Sequence, residues 1–197
     1  MLGGVFTKEY LCDKFGIEKG GDLFSQQQDE LQKLIAEIKG KTRQQRKTLI
    51  YTILPKIALY RVLQASMTKE EAYGVIDDYL QSRVCVKSIK QYRMMEKLPN
   101  FFSIYRTAFS YVVLHSDNWK AECLSSNRDE FQINIHQCLW YDACFENGCP
   151  ELTRAFCACD DTLYESLQKM RFFRSGSIGR GNEQCDFRFV RSKASRQ

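Results

Sequence analysis

The chain has 197 residues, of which 44% are hydrophobic and 27% are charged, and its net charge is +5. These values exclude a disordered chain and suit one globular domain over residues 1–197 with a sizeable buried core. A basic cluster at 39–47 is read as a solvated helix start, with a phosphate-binding patch as the alternative. Because no nucleic-acid motif accompanies the cluster, we expect no nucleic-acid partner.

No apolar run approaches the roughly 20 residues that a membrane helix needs, and the first residues lack the pattern of a signal peptide. Nine cysteines in a chain without an export signal indicate reduced thiols rather than a disulfide framework. We therefore expect a cytoplasmic protein with no membrane partner. Formation of a homo-oligomer stays open.

Helical spacing dominates the first half of the chain. A short helix is expected before Asp22, and apolar residues three and four apart predict a second helix from there to Lys39. A third, central helix covers about 42–66, where Pro55 removes a backbone donor and should kink or divide it.

The middle of the chain continues this helical pattern. Thr68 and Glu71 form a capping box, which opens a helix that continues through Tyr79 and toward Met95. An aromatic stripe at helical spacing follows over 101–111, and we assign it to core packing rather than to ligand stacking.

The pattern changes after Trp119. Alternating apolar and polar residues over 131–136 predict a strand, paired in a hairpin with 119–124. The later elements are helices at about 139–147 and 150–169, then strands at 171–174 and 184–191 joined by a loop at 176–181. This order predicts an α+β fold, with several N-terminal helices packed on a small antiparallel sheet formed by the C-terminal half.

Thiols and carboxylates concentrate in the C-terminal third, where C-P-E-L-T-R-A-F-C-A-C-D-D runs from Cys149 to Asp161. Cys157 and Asp160 lie three residues apart, so they share one helix face. A carboxylate alone raises the pKa of a neighbouring thiol, so activation of this thiol needs a cation, which Arg154 or Arg174 can supply.

The last strand and one earlier acid add further candidates, each with a structural alternative. Cys185 faces the apolar interior while Asp186 faces away, because neighbouring strand residues alternate. Core filling is the alternative role for Cys185, and bracing of the glycine loop is the alternative for Asp186. Glu151 lies one turn before Arg154, so a surface ion pair is its alternative.

His136 lies on the polar face of its strand and is one of two histidines, which makes it a candidate base or metal ligand. Simple hydrogen bonding is the alternative. Cys157 and Cys159, with Cys149, Cys185 and His136, offer enough ligands for zinc, but the spacing is not that of paired C-x-x-C ligands. We predict no metal and no other cofactor, with a structural zinc as the open alternative.

The C-terminal motifs resemble those of the L-2-amino-thiazoline-4-carboxylic acid hydrolases. The resemblance rests on P-E-L-x-x-x-F-C-x-x-D at 150–160, on Arg174 ahead of a Ser-Ile pair, and on G-x-x-x-C-D-F-x-F at 181–189. The stretch I-L-P-K-I-A-L-Y-R at 53–61 is also similar to the central helix of that family.

This resemblance implies an enzyme that opens the ring of a small amino-acid-derived substrate, such as 2-amino-thiazoline-4-carboxylate, giving N-carbamoyl-cysteine. Breaking the C–S bond requires a positioned water or a thiolate, together with a proton carrier. We expect Cys157 to be the nucleophile or to lie beside an activated water, Asp160 and Glu151 to be base and acid, and Arg174 to bind the substrate carboxylate. The expected catalytic residues are Cys157, Asp160, Glu151, Cys185 and Asp186, and the expected substrate-binding residues are Arg174, His136 and Cys149.

Two other classes of function stay open. The ending C-D-F-x-F is similar to that of 4-vinyl-reductase-type small-molecule-binding domains, which implies a sensor without catalysis. A thiol-rich metal or redox protein is the third possibility.

Overall fold

The computed structural model describes residues 2–192, with side chains from residue 6 onward. The helices are α1 (Leu2–Phe15), α2 (Ile17–Glu37), α3 (Arg43–Thr48), α4 (Leu54–Gln64), α5 (Lys69–Tyr79), α6 (Val86–Met95), α7 (Phe101–Leu114), α8 (Leu139–Glu146) and α9 (Thr153–Glu165). The strands are β1 (Trp119–Ser126), β2 (Glu130–Cys138), β3 (Met170–Phe173) and β4 (Cys185–Arg191). Short π-helical turns at Leu49–Ile53 and Leu80–Cys85 join α3 to α4 and α5 to α6.

Helices α1 and α2 pack closely because a glycine lies where they meet. A Cβ atom at Gly20 of α2 would lie 2.5 Å from backbone atoms of Leu11 and Cys12 in α1. Helix α2 begins at Ile17, earlier than the predicted start at Asp22. Gly16 adopts φ = 88°, a conformation that glycine tolerates, and this ends α1 so that a new helix begins at the next residue.

We expect Gly20→Ala to lower the free energy of unfolding by about 1–3 kcal/mol, because the added methyl meets rigid backbone. Gly21→Ala is the matched control, since nothing lies within 4 Å of a Cβ there. The control should raise stability by about 0.5–1 kcal/mol through its higher helix propensity. Urea denaturation of both variants measures the difference, and equal stabilities would contradict this account of the α1–α2 contact.

The central helix is interrupted at Pro55, as predicted. Proline has no N–H to donate to the carbonyl four residues earlier, so the helix widens into the π-helical turn that precedes α4. Within that turn the Leu54 N–H bonds to the carbonyl of Leu49, five residues back. The side-chain amide of Gln27 in α2 donates to the carbonyl of Pro55 at 2.8 Å, which ties the two helices together.

The capping box at the start of α5 is confirmed. The hydroxyl of Thr68 accepts from the N–H of Glu71 at 3.2 Å, and the Glu71 carboxylate accepts from the N–H of Thr68 at 2.9 Å. These reciprocal bonds satisfy two backbone donors that have no partner inside the helix.

The sheet has the strand order β1-β2-β4-β3, and all its neighbouring strands are antiparallel. Strand β2 pairs with β4 so that Ile135 lies opposite Cys185 and Asn134 lies opposite Asp186. The inner face of the sheet carries aromatic side chains that pack on α7 and α9. Phe131 and Phe189 stack there at 4.8 Å between ring centroids, and both are fully buried.

The aromatic stripe of α7 contributes to this core with one exception. Phe101, Phe102 and Tyr105 are buried, and Phe109 packs against them. Tyr111 is 65% exposed and stacks on His115 instead, because its position turns away from the sheet.

Helix α9 ends at Glu165, four residues before the predicted end at Lys169. The buried carboxylate of Glu96 accepts from the N–H groups of Gln168 and Lys169 at 2.8 and 2.7 Å, which turns this segment out of the helix and into β3. The predicted fold class is confirmed, since helices come first and the antiparallel sheet forms in the C-terminal half. That the chain forms one domain stays a prediction.

Candidate functional site

Two stretches far apart in the chain meet at one place. Helix α9 carries Cys157, and the loop between β3 and β4 approaches it so closely that a Cβ at Gly179 would lie 2.8 Å from the Cys157 sulfur. In the same loop the N–H of Ile178 donates to the sulfur of Cys185 at 3.3 Å. Glycine is required at position 179 because any side chain would push the loop away from the helix.

Arg174 joins the end of β3 to α9 from a buried position, since its side chain is only 2% exposed. Its Nη2 donates to the carbonyl of Cys157 at 2.9 Å and to the carboxylate of Asp161. The guanidinium also lies over the rings of Phe172 and Phe187, at 5.6 and 5.2 Å from their centroids.

The same guanidinium has spare donors. Its Nη1 lies 3.6 Å from a carboxylate oxygen of Asp160, which is an ion pair but too long for a hydrogen bond. Within residues 2–192, no hydrogen-bond acceptor reaches the buried Nε or Nη1. Buried donors are nearly always satisfied in folded proteins, so two unsatisfied nitrogens on one arginine mark a place for a polar ligand or an ordered water.

Near this arginine, the carboxyl group of Asp160 has a pKa far from its ordinary value. Removal from water raises the pKa of Asp160 to about 7, and this effect outweighs the attraction of Arg174, which favours the charged form. The side chain nevertheless keeps 41% of its surface accessible, so protons can exchange with solvent. A carboxyl group of this kind can both take up and release a proton near neutral pH.

The thiols at the site are neutral at pH 7. Burial, reinforced by the negative charge of Asp160, raises the pKa of Cys157. Burial likewise raises the pKa of Cys185 to about 11, although the N–H of Ile178 opposes the shift. The cations that could activate Cys157, Arg174 and Arg180, lower its pKa less than burial raises it.

Asp186 braces the glycine loop, which is the alternative role that its sequence context suggested. Its carboxylate accepts from the N–H groups of Ser175 and Gly176 at 3.0 and 2.7 Å, and from the Ser175 hydroxyl at 2.5 Å. Partial burial alone would raise the pKa of Asp186, but these hydrogen bonds hold it below its usual value.

An open cleft of about 690 Å³ lies beside the end of β3. Arg174, Asp161, Arg180 and Asp186 are among its lining residues. The carboxylate of Asp161 bonds to both Arg174 and Arg180, so it holds a buried and a half-exposed guanidinium at the same wall. Cations and carboxylates therefore alternate along this wall, which suits a small zwitterionic ligand.

Three of the expected site residues bond to other parts of the molecule. Glu151 accepts from the hydroxyl of the buried Tyr60 in α4 at 2.8 Å. His136 bonds to Glu122 across the β1–β2 hairpin at 3.0 Å, and its side chain is 46% exposed.

Cys149 is the third of these residues. Its backbone N–H donates to the carbonyl of Cys144 at 2.9 Å, and the two side chains interact, which lowers the pKa of Cys149 and raises that of Cys144. The structure thus groups Cys157, Asp160, Arg174 and Cys185, and of the expected site residues Arg174 and Asp186 line the cleft itself. The catalytic or binding role of each of the eight residues stays a prediction.

All nine cysteines lie in the described part of the chain, and none forms a disulfide there. Over the same residues, no group of three or more His, Cys, Asp or Glu side chains is arranged to hold a metal ion. No helix among residues 2–192 has both the length and the apolar character that a membrane span requires.

Three residues of the site were not predicted as site residues from the sequence. Asp161 and Arg180 form the charged wall, and Ser177 is completely buried beside Cys157. No hydrogen-bond partner reaches the Ser177 hydroxyl oxygen in the described structure. In the sequence, Ser177 and Arg180 could have been recognised as site residues because they lie inside the glycine-containing loop.

Comparisons with known proteins place the chain in a family. The solved structures similar to it include two Fe(II) unliganded H-NOX proteins from K. algicida, one of them a mutant. The mutant is 11% identical with a TM-score of 0.35 over 98% of this chain and 97% of that chain, and the other is 9% identical with a TM-score of 0.29 over 98% of both. Scores this low add nothing to the architecture described above.

No curated protein matches the chain. The profile of L-2-amino-thiazoline-4-carboxylic acid hydrolase matches residues 43–189, which include the central helix, the sheet and the whole of the charged wall. Because this match spans most of the sequence, the chain belongs to the L-2-amino-thiazoline-4-carboxylic acid hydrolase family.

Proposed function

We propose that this protein is a hydrolase that opens the ring of a thiazoline-type substrate derived from an amino acid, such as 2-amino-thiazoline-4-carboxylate. Family membership supports the reaction class, because the family is named for this hydrolysis. One observation supports the site: Asp160 lies 3.6 Å from the Nη1 atom of Arg174, a buried guanidinium with two unsatisfied nitrogens.

The substrate carboxylate would bind to the guanidinium of Arg174 at Nη1, which no acceptor in the described structure reaches. Burial strengthens a charge-assisted hydrogen bond of this kind. Bound in this way, the substrate would lie beside Asp160, which is 3.6 Å from the same nitrogen. The half-exposed Arg180 at the cleft wall would guide the anion toward the site.

The reaction would then need one water and one proton carrier. Ionised Asp160 takes a proton from a water molecule, whose oxygen adds to the carbon between the ring sulfur and the ring nitrogen. Protonated Asp160 returns that proton to the ring nitrogen. The C–S bond breaks as the C=O bond forms, and the remaining hydroxyl proton goes to the departing thiolate, so that ring and water together give the carbamoyl thiol.

Incubation of the protein with 2-amino-thiazoline-4-carboxylate tests this proposal. We expect one new thiol for each substrate consumed, detected with a disulfide reagent, and a product of the mass of N-carbamoyl-cysteine. Binding of the thiazoline without release of a thiol would favour the sensor function instead. Absence of both binding and turnover would remove this substrate class.

The neutral Cys157 thiol favours an activated water over a covalent mechanism, because the thiolate is the reactive form and burial opposes it. Cys157→Ser should therefore keep kcat within about tenfold of the unchanged enzyme, since a water nucleophile does not need the sulfur. Single-turnover mass spectrometry of the intact protein should show no covalent adduct. A trapped thioether or acyl-type adduct on Cys157 would establish the covalent route.

A further inference from the structure

A second cavity, of about 1030 Å³, lies between α1, α2 and the π-helical turn that precedes α4. Its size is at the upper end of the range of about 300–1,000 Å³ that is usual for small-molecule sites. Its wall is mainly apolar. The apolar lining residues are Phe24, Leu31, Ile35, Ile50, Tyr51 and Pro55.

Two lysines line this cavity: Lys8 is exposed at its rim, and Lys56 lies in the first turn of α4. No acceptor in the described part of the chain bonds or pairs with the amine of Lys56. Burial lowers the pKa of Lys56 to about 8, because the charged form has lost water without gaining a partner.

The backbone holds Lys56 in this position. Pro55 and the π-helical turn widen the helix just before it, and π-turns of this kind often accompany functional sites. The side-chain amide of Gln27 fixes the carbonyl of Pro55 at 2.8 Å. The backbone position of Lys56 beside the cavity is thus held by the local helix geometry.

The charges at the rim of the cavity nearly cancel. Lys8 and Glu9 are both exposed and have opposite signs. Asp13 is paired with Arg83 at 2.6 Å. An anion entering the cavity would therefore meet little net repulsion, and inside it would meet the single positive charge of Lys56.

We propose that this cavity binds an amphipathic monocarboxylate, with its alkyl chain against the apolar wall and its carboxylate on the amine of Lys56. The carboxylate would supply the acceptor that Lys56 lacks, and the chain would cover the exposed apolar surface. The site is separate from the cleft beside β3, because the two cavities share none of their lining residues. It also draws on α1 and α2, which precede the residues matched by the family profile.

Fluorescence titration with a dansylated undecanoate probe, followed by competition with dodecanoate or dodecanol, tests this proposal. We expect Lys56→Met to weaken dodecanoate binding by at least about tenfold, the size of one charge-assisted hydrogen bond, and to leave dodecanol binding unchanged. Lys120→Met is the matched control, since it removes an exposed lysine of β1 that lines neither cavity, and it should bind dodecanoate normally.

The unchanged protein provides a second test that does not depend on folding of a variant. Dodecanoate should displace the probe at least about tenfold more effectively than its methyl ester, which has the same chain without the charge. Equal displacement by acid and ester, equal binding to Lys56→Met, or no probe binding at all would each overturn the proposal. Thiazoline turnover is measured separately, so failure of either proposal leaves the other intact.

Discussion

Asp160→Asn should lower kcat/KM for thiazoline ring opening by about 10²–10⁴-fold, the usual contribution of a positioned acid–base group. Asparagine has nearly the same shape as the protonated carboxyl group, but it cannot take a proton from water. It also leaves the two bonds that Arg174 makes with Cys157 and Asp161 in place. The loss should therefore appear mainly in kcat, with a smaller change in KM.

The pH profile provides an independent measurement of the same group. Because Asp160 must be ionised to act as a base and its pKa is raised to about 7, kcat/KM of the unchanged enzyme should rise with pH through an inflection near 7. The residual activity of Asp160→Asn should lack that inflection. Asp22→Asn, which changes an exposed carboxylate on α2, is the matched control and should retain both the rate and the inflection.

Stability measurements separate a chemical defect from a folding defect. The native pKa of Asp160, about 7, lies above its ordinary value of 3.8, so the folded state binds more protons between these two values. This group therefore makes the protein less stable as pH rises from about 4 to 7, and Asp160→Asn should flatten that part of the dependence. The assignment of Asp160 as the base would be contradicted if Asp160→Asn kept full activity. It would also be contradicted if the free energy of unfolding of this variant at pH 8 were lower than that of the unchanged protein.

Sequence patterns that span only a few residues account for the parts of this fold that were predicted. The capping box of Thr68 and Glu71 depends on residues three apart, and the β1–β2 hairpin depends on alternation along one stretch. The motif C-D-F-x-F also predicts which side chains face inward, since Cys185, Phe187 and Phe189 are all buried. Each of these patterns is complete within a few residues, so tertiary packing did not have to be known.

The features of the fold and the site that the sequence did not predict depend on contacts between residues that are distant in sequence. Glu151 bonds to Tyr60, which is 91 residues away, and no periodicity in either segment indicates the pair. Helix α9 ends early because Glu96 accepts from the N–H groups of Gln168 and Lys169, which lie 72 and 73 residues after it in the sequence. The cavity at Lys56 likewise depends on how α1 and α2 pack on α4, and helical spacing does not report that arrangement.

Arg174→Met should lower the free energy of unfolding by about 1.5–3 kcal/mol, the usual cost of losing hydrogen bonds to a charged group, because Asp160 and Asp161 keep access to solvent. The guanidinium is 2% exposed and connects α9 to the end of β3 through Asp161, Asp160 and the carbonyl of Cys157. Methionine fills similar space between the two phenylalanine rings, so the loss reports the polar contacts rather than a cavity. Urea denaturation at low temperature provides the measurement.

A double-mutant cycle with Asp161→Asn tests the cause of that loss. If Asp161 is destabilised by losing Arg174, the double variant should be more stable than the sum of the single losses predicts, by about 0.5–3 kcal/mol. Arg174→Lys should lie between the unchanged protein and Arg174→Met, because an ammonium keeps the charge but cannot bond to Cys157 and Asp161 with a planar fork. A loss below about 1 kcal/mol for Arg174→Met, the value typical of exposed pairs, would mean that this guanidinium does not hold the two halves of the site together.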